Sequence, residues 1–291
     1  MDQELARFIG RAEALLGRLE PLLPEQPPSI DWQVTLAARW QALPGRRGAL
    51  VPIDHPQRMA LDDLFGIDRA KAALERNTRQ FLAGLPANDA LLWGSRGTGK
   101  SSLVKALLTR HAADGLRLIE VDKGHLVELP QIIAAVRGLP QRFVVFCDDL
   151  SFGADEPAYK ALKVALDGSL AGGRDNLLIY ATSNRRHLLP EYQEENALTR
   201  HVGEEIHLAE AVEEKIALSE RFGLWLAFHA FDQDQYLDIV RHWLRRLGCD
   251  EPQDRWREAA LRWALARGSR SGRSALQFAR DHAGRQRLGA S

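Results

Sequence analysis

Short apolar runs alternate with amphipathic stretches along the middle of the chain. Five of these runs have the length of strands and lie at residues 89–94, 116–122, 142–150, 176–184 and 221–231. Amphipathic segments of helical length, such as "KSSLVKALLTRHA", separate them. The third run is continuously apolar, which indicates burial on both faces, as in a parallel sheet. The pattern predicts an α/β fold over residues 51–232, with a five-stranded parallel sheet between layers of helices.

Apolar positions at the two ends of the chain recur at helical spacing instead. Residues 3–23 predict one helix and residues 32–43 a second, so we expect residues 1–50 to form a helical N-terminal extension. Its apolar stripe favours packing on the main domain over binding of a partner. Three more amphipathic segments predict a helical C-terminal domain over residues 233–291.

Composition and charge exclude several classes of protein. No apolar run approaches the roughly 20 residues that span a bilayer, and "MDQELARF" lacks the pattern of a signal peptide. Cys147 and Cys249 lack metal-ligand spacing, so we expect two ordinary thiols in a reducing cytoplasm, away from any membrane. Residues 241–291 carry twelve arginines against five acidic residues. This excess suits a bound polyanion, a partner or a solvated face.

A glycine-rich loop follows the first of the five runs. Its sequence, "GSRGTGKSS", fits G-x-x-x-x-G-K-[ST], in which glycines let backbone N–H groups approach phosphate oxygens. The lysine of this pattern reaches the β and γ phosphates, and the serine hydroxyl binds Mg²⁺. A strand before the loop and a helix after it favour this interpretation over a plain surface loop, and predict a P-loop NTPase αβα sandwich. The predicted nucleotide-binding residues are Gly94, Ser95, Arg96, Gly97, Thr98, Gly99, Lys100, Ser101 and Ser102.

Two carboxylates end the third apolar run, "RFVVFCDDL". In P-loop proteins an acid at the end of a nearby strand holds Mg²⁺. Asp148 is therefore the candidate metal ligand beside Ser101, and Asp149 is the candidate that polarises the attacking water. The alternative is that both carboxylates cap the next helix or solvate a turn.

The order of these motifs resembles the AAA+ ATPases, with a P-loop, an apolar strand ending in acids, the "YATSN" strand, downstream arginines and a helical tail. More narrowly, "NTRQFLAGLPANDALLWGSRGTGKSSLVKALL", "CDDLSF" and "YATSNRRHLLPE" are similar to a bacterial ATP-binding branch classed as a domain of unknown function. The stretches "SERFGLWLAFHAFDQDQYLDIV" and "GSRSGRSALQFARD" match it as well, so the resemblance covers roughly residues 35–285. It implies ATP and Mg²⁺ as ligands, a helical lid over residues 233–291 and a homo-oligomer.

The resemblance assigns further site residues. Asn184 matches the sensor that orients water near the γ-phosphate, with a turn asparagine as the alternative. Arg221 matches the arginine finger that a neighbouring subunit supplies, with Arg200 as a rival and an ion pair within the chain as the alternative. Arg273 matches the sensor arginine of the lid, with Arg270 as its competitor.

The stretch "DDLFGID" lies where the superfamily seats the adenine, between the core and the lid. The resemblance therefore implies that Leu64, Gly66 and Ile67 contact the base. Plain packing of these residues is the alternative.

Two departures from the AAA+ pattern bear on activity. Many AAA+ proteins end the apolar strand in Asp-Glu, whereas this chain has Asp-Asp. The side chain of Asp149 is one methylene shorter, so its carboxylate falls about 1.5 Å short unless the backbone advances. A misplacement of about 1 Å can cost roughly 100-fold in rate. The loop "DKGHLVELP" also lacks the aromatic residue beside a glycine that protein-threading members carry, which argues against a threading unfoldase.

These motifs support three hypotheses for the function. The first is an ATPase in which Lys100, Asp149, Asn184 and Arg221 act in hydrolysis and lid motion remodels or regulates a partner protein. The second is a nucleotide-dependent switch or scaffold that oligomerises and turns over negligibly. The third is a DNA-associated loader-type ATPase, to which the basic C-terminal helices with their tryptophans point.

Overall fold

The computed structural model describes residues 29–42, 48–152, 156–167, 175–185, 188 and 218–289, together with positions 8, 10, 11 and 13. Seven strands in this part of the chain form one sheet. They are β1 (Ala37–Gln41), β2 (Ala49–Pro52), β3 (Ala90–Gly94), β4 (Leu116–Glu120), β5 (Arg142–Cys147), β6 (Leu177–Ser183) and β7 (Leu224–Phe228). Their order across the sheet is β2-β1-β4-β5-β6-β3-β7. All neighbours are parallel except β1 and β2, which are antiparallel.

Helices cover both faces of this sheet. Those with described bounds are α1 (Asp68–Leu82), α2 (Lys100–His111), α3 (Leu129–Val136), α4 (Pro157–Asp167), α5 (Gln233–Arg246), α6 (Gln253–Ala266) and α7 (Gly272–Gly289). The buried apolar residues of α1 and α2 belong to one hydrophobic cluster, and those of α3 and α4 to a second. Along β5, Phe143 and Val145 join the second cluster, whereas Val144 and Phe146 join the first. The alternation places β5 in the middle of an αβα sandwich and confirms the predicted P-loop NTPase fold.

The five predicted strands are β3 to β7, and all are confirmed as parallel strands. The sheet is nevertheless larger than the predicted five strands, because β1 and β2 extend it beyond β4. The helix predicted over residues 32–43 is wrong, since residues 32–34 form a turn and β1 comes after it. The helix predicted over residues 3–23 lies outside the described residues except at positions 8, 10, 11 and 13, which are helical.

Strand pairing explains why the helical prediction failed for β1. Its sequence, "AARWQ", consists mostly of residues that favour helices in isolation. Tertiary contacts override that preference, because Arg39 lies opposite Glu120 of β4 and their side chains form an ion pair at 2.6 Å. β2 then crosses the boundary expected at residue 50. The described residues between 29 and 50 therefore form the edge of the sheet and not a helical extension.

Arg117 of β4 ties the turn before β1 to the core. Its buried guanidinium donates hydrogen bonds to the carbonyl oxygens of Trp32 at 2.7 Å, Ala112 at 2.9 Å and Leu116 at 2.8 Å. Burial lowers the pKa of Arg117. The carbonyl oxygens compensate a charge that is otherwise costly to bury.

The C-terminal helices α5 to α7 share the hydrophobic cluster of α1 and α2. A capping box starts α5, in which Asp232 accepts from the Gln235 N–H at 2.8 Å and the Gln235 side chain accepts from the Asp232 N–H at 3.1 Å. Among the described helices, none has both the length and the apolar character to cross a bilayer. The shared core holds this helical domain directly against the α/β layer.

Neither cysteine forms a disulfide, as predicted, and both are buried. Cys147 ends β5, and burial raises the pKa of its thiol to about 12. The thiol is therefore protonated at neutral pH and behaves as a small apolar side chain.

A buried polar network joins α1 to the centre of the sheet. The hydroxyl of Tyr180 on β6 accepts from Asn77 Nδ2 at 3.1 Å and lies 2.9 Å from the Thr78 hydroxyl. Asn77 also bonds the backbone of Asn88 in both directions, which fixes the loop that leads into β3. Burial raises the pKa of Tyr180 to about 12. The network thus aligns the strand that carries the glycine-rich loop.

Replacing Tyr180 with phenylalanine tests how much this network stabilises the fold. Asn77 keeps its bond to Asn88 and Thr78 keeps its bond to Leu74, so only the bonds of the tyrosine hydroxyl are lost. We expect Tyr180→Phe to lower the free energy of unfolding by about 1 kcal/mol with an unchanged denaturant slope. Urea unfolding followed by circular dichroism measures both quantities. An unchanged unfolding midpoint would contradict the proposed role.

Candidate functional site

The glycine-rich loop leaves β3 through a conformation that only glycine adopts easily. Gly94 has φ +128°, and a Cβ there would lie 2.0 Å from the carbonyl oxygen of Phe228 on β7. The next residue, Ser95, donates its N–H to that same oxygen at 2.9 Å. Gly99, with φ +101°, precedes the first residue of α2. The loop therefore curls closely around the end of the sheet and directs the N-terminus of α2 into a pocket.

Lys100 lies almost fully buried at the start of α2, with 7% of its surface exposed. Its ammonium group donates to the carbonyl oxygens of Gly94 at 2.7 Å and Ser95 at 2.8 Å, and to Asn184 Oδ1 at 3.1 Å. Burial lowers the pKa of Lys100, and the carboxylates of Asp149 and Asp148 oppose that shift. The lysine is thus held by three oxygen atoms at the junction of β3, β6 and α2.

Ser101 and Asp148 form a hydroxyl–carboxylate pair beside the lysine. Ser101 Oγ donates to Asp148 Oδ1 at 2.6 Å, and Thr182 Oγ1 donates to the same oxygen at 2.5 Å. Hydroxyl and carboxylate oxygens are the ligands that Mg²⁺ prefers, and nucleotide sites need only one or two of them because phosphates and water complete the shell. The side chains present therefore fit a magnesium ion held together with a nucleotide.

Asp149 has an uncommon backbone conformation, with φ +51°. Its N–H donates to Thr182 Oγ1 at 2.8 Å, and its carboxylate accepts a hydrogen bond from Asn184 Nδ2. Aspartate tolerates the left-handed region better than most residues, but such conformations persist only where neighbouring groups hold them. Thr182 and Asn184, both at the end of β6, hold Asp149 in this conformation.

Thr182 is a site residue that the sequence analysis missed. Its single hydroxyl bonds both residues of the acidic pair, as a donor to Asp148 and as an acceptor from Asp149. The signal was its place two residues before Asn184 on one strand, because side chains at positions i and i+2 lie on the same face. Sequence alone did not indicate that the two strand ends lie in hydrogen-bonding register.

One pocket of about 630 Å³ lies between the α/β layer and the C-terminal helices. Its lining includes residues 96–102 of the loop, Asp148, Asp149, Thr182 and Asn184, whereas the predicted binding residues Gly94 and Ser95 lie outside the lining. Leu64 and Ile67, predicted to contact a base, line the pocket together with Phe65, Phe231 and Trp243. Gly66 lies outside the lining, and a Cβ there would lie 2.9 Å from the ring of Phe231. The pocket therefore has one polar end at the loop and one largely apolar end beside α5.

Asp63 is a second residue that the sequence analysis missed. It lies in the 3₁₀ turn Leu61–Asp63 at the apolar end of the pocket and is 7% exposed. Its carboxylate lies 3.0 Å from His242 Nε2 and accepts from Arg246 Nη2 at 3.2 Å, and both partners belong to α5. Asp63 thus links the segment before α1 to the C-terminal helices, across 179 residues of sequence.

The structure distinguishes between the candidate arginines. Arg273, at the start of α7, lines the pocket, whereas its competitor Arg270 does not. Arg221 lies outside the lining and pairs with Asp167 of α4 at 2.5 Å. The rival candidate Arg200 lies outside the described residues.

The C-terminal helices contact the loop through backbone atoms. The N–H of Gly272 donates to the carbonyl oxygen of Gly97 at 2.9 Å. Gly97 has φ +72°, and a Cβ there would lie 2.8 Å from Cβ of Ser271. The start of α7 therefore packs directly on the loop, and Arg273 enters the pocket from that position.

Comparison with known proteins gives one family. The family described as "Protein of unknown function (DUF815)" matches residues 33–286. No curated protein matches the chain.

Solved structures share the fold at low sequence identity. Two variants of RuvB from Thermotoga maritima match 76% of this chain, with 17% identity and TM-scores of 0.52 and 0.51. The chain spans 63% and 64% of the length of those two proteins. The Orc1 protein of Aeropyrum pernix, solved in complex with DNA, is similar over 73% of this chain and over 58% of the Orc1 chain. The identity is 15% and the TM-score is 0.48. The RuvB matches agree with the αβα architecture described above.

Gly94 offers a test of the loop geometry. Gly94→Ala places a Cβ 2.0 Å from the Phe228 carbonyl oxygen in a conformation with φ +128°. We expect it to lower the free energy of unfolding by about 3 kcal/mol or more. Gly284→Ala is the matched control, because Gly284 lies within α7 with no atom within 4 Å of its added Cβ, and we expect a gain of about 0.5–1 kcal/mol. Thermal and urea unfolding measure both variants, and equal stability of the two would refute the close approach.

Proposed function

Because this chain belongs to the family described as Protein of unknown function (DUF815), we propose its function from the site itself: the protein binds Mg²⁺·ATP and hydrolyses it to ADP and phosphate. The observation that carries the proposal is the convergence of Lys100, Ser101, Asp148, Asp149 and Asn184 on one pocket. Phosphoryl transfer to water needs a phosphate-binding loop, a metal-binding pair and a group that orients the water. In this proposal Ser101 and Asp148 form the metal-binding pair, and Asp149 and Asn184 orient the water. Lys100 is part of the phosphate-binding loop.

The polar end of the pocket suits a triphosphate. Backbone N–H groups of the loop and the N-terminus of α2 bind the phosphate oxygens, and Lys100 contacts the β and γ phosphates. Mg²⁺, when bound by Ser101 and Asp148, neutralises charge on the phosphate oxygens. The apolar end seats the base against Leu64 and Ile67. The assignment of that base as adenine rests on the resemblance of "DDLFGID" to the AAA+ adenine site.

The proposed reaction is an in-line displacement at the γ phosphorus. The oxygen of a water molecule forms a bond to the γ phosphorus. At the same time the bond between this phosphorus and the β,γ-bridging oxygen breaks, and ADP leaves with the electron pair of the broken bond. Asp149 accepts a proton from the water, and inorganic phosphate is released. The positive φ of Asp149 and the hydrogen bond from Asn184 support this role, because they fix the direction of the carboxylate. We expect slow turnover, since the side chain is one methylene shorter than the glutamate usual at this position.

Lid motion and oligomerisation belong to the same proposal. Arg273 contacts the nucleotide from α7 and makes the angle of the C-terminal helices depend on the phosphates. Arg221 pairs with Asp167 outside the pocket lining, so a role as arginine finger requires a second copy of the chain. The nucleotide-dependent movement of the lid then remodels or regulates a partner protein.

Phosphate release at several protein concentrations tests this function. We expect turnover that rises with protein concentration in the presence of Mg²⁺ and falls about 100-fold or more in Lys100→Ala, because a fixed charge on the phosphates is lost. Arg221→Ala should keep ATP binding and lose the dependence on concentration. Tight ATP binding with no release above the Lys100→Ala background would replace the ATPase by a nucleotide-dependent switch or scaffold.

Thr182 provides a test of how the acidic pair is positioned. Thr182→Val keeps the shape of the side chain and removes the hydroxyl that bonds both Asp148 and Asp149. We expect kcat to fall about 10- to 100-fold with a higher Mg²⁺ requirement, and Thr182→Ser to restore most of the rate. Steady-state phosphate release over a Mg²⁺ titration separates these effects. A wild-type rate and Mg²⁺ dependence in Thr182→Val would show that the hydroxyl does not position the pair.

A further inference from the structure

Arg96 is a cation within the glycine-rich loop that the reaction as described does not use. It is the third residue of the loop, its side chain is exposed, and it lines the pocket beside Lys100 and Asp149. Within the described part of the chain, no carboxylate lies within ion-pair distance of its guanidinium and no hydrogen bond occupies it. Apart from Arg96 and Lys100, the loop consists of glycines and small hydroxyl residues.

Most other cations near the pocket already have partners. The ammonium of Lys100 bonds three oxygen atoms, and Lys105 bonds Gln57 at 3.3 Å. Arg246 bonds Asp63, and Arg221 bonds Asp167 outside the pocket. The two arginines of the pocket lining are Arg96 from the loop and Arg273 from the C-terminal helices. Both are available to an anionic ligand.

Arg96 lies at the loop end of the pocket, four residues before Lys100 in the glycine-rich loop. Both residues line the pocket, together with Asp148 and Asp149. Arg96 is therefore close to the lysine that contacts the terminal phosphates, and the same chain supplies both cations.

We propose that Arg96 is a catalytic residue that contacts the terminal phosphoryl group of the nucleotide within its own chain. The inference rests on the proposed ATPase function and adds a cis-acting cation to it. As the bond to the β,γ-bridging oxygen breaks, negative charge grows on that oxygen and is spread over the terminal phosphoryl oxygens. The planar guanidinium donates two hydrogen bonds to such oxygens and stabilises this charge. A single chain then retains basal turnover without the Arg221 of a second copy.

The test compares Arg96→Gln and Arg96→Lys with the matched control Arg137→Gln. Arg137 is an exposed arginine at the end of α3 and lies outside the pocket. We expect Arg96→Gln to lower single-turnover phosphate release about 100-fold, by the same factor at every protein concentration, with ADP affinity unchanged. Arg96→Lys should restore part of the rate, because it keeps the charge without the planar fork. Arg137→Gln should behave like the wild type.

If the wild type hydrolyses ATP, two results would overturn the inference. One is a wild-type rate in Arg96→Gln. The other is a loss of rate that appears only at high protein concentration, since Arg96 would then act on a neighbouring chain.

Failure of the ATPase proposal itself leaves the contact testable by binding. The affinities of the wild type and of Arg96→Gln are measured for ADP and for a non-hydrolysable ATP analogue. A loss of about tenfold for the analogue alone supports contact with the terminal phosphoryl group. Equal losses for both nucleotides, or no loss, overturn it.

Discussion

The parallel pairing of β3, β6 and β5 is the constraint on which the site depends. In this register Trp93 of β3 lies opposite Ser183 of β6, and Cys147 of β5 lies opposite Ala181. Three strand ends therefore reach the same edge of the sheet, and the segment directly after each strand carries one part of the site: the loop after β3, the acidic pair after β5 and Asn184 after β6. Groups that are 33 to 84 residues apart in sequence then lie within hydrogen-bonding distance.

The same edge also receives the C-terminal helices. Their apolar residues share one cluster with α1 and α2, so the lid is packed on the core as well as connected to it by the chain. Two polar contacts define its position, the backbone bond between Gly272 and Gly97 and the bonds from α5 to the buried carboxylate of Asp63. The first contacts the end of the pocket at the glycine-rich loop, and the second contacts its apolar end. Under the proposed function, each end of the bound nucleotide therefore acts on a different C-terminal helix.

The sequence predicted the features that depend on local pattern. The apolar runs located five strands, the glycine spacing located the loop, and the acids after β5 located the carboxylate pair that lines the pocket. The prediction failed where partners lie far apart along the chain. The pattern of β1 indicates a helix because alanine, arginine and glutamine favour one, and only pairing with β4 makes it a strand. Thr182 and Asp63 were missed because their partners become neighbours only after folding.

The guanidinium of Arg117 sets a lower limit on the part of the chain that folds as a unit. Its oxygen partners include the carbonyl of Trp32, and β1 covers the edge of β4 that lies beside it. A fragment cut at residue 51, where the strand–helix alternation of the core begins in sequence, leaves that buried cation short of an acceptor and the β4 edge unpaired. Unpaired edges of this kind recruit other strands. The shortest piece that keeps all seven strands and this acceptor therefore begins before Trp32, and the first two strands are part of the α/β body.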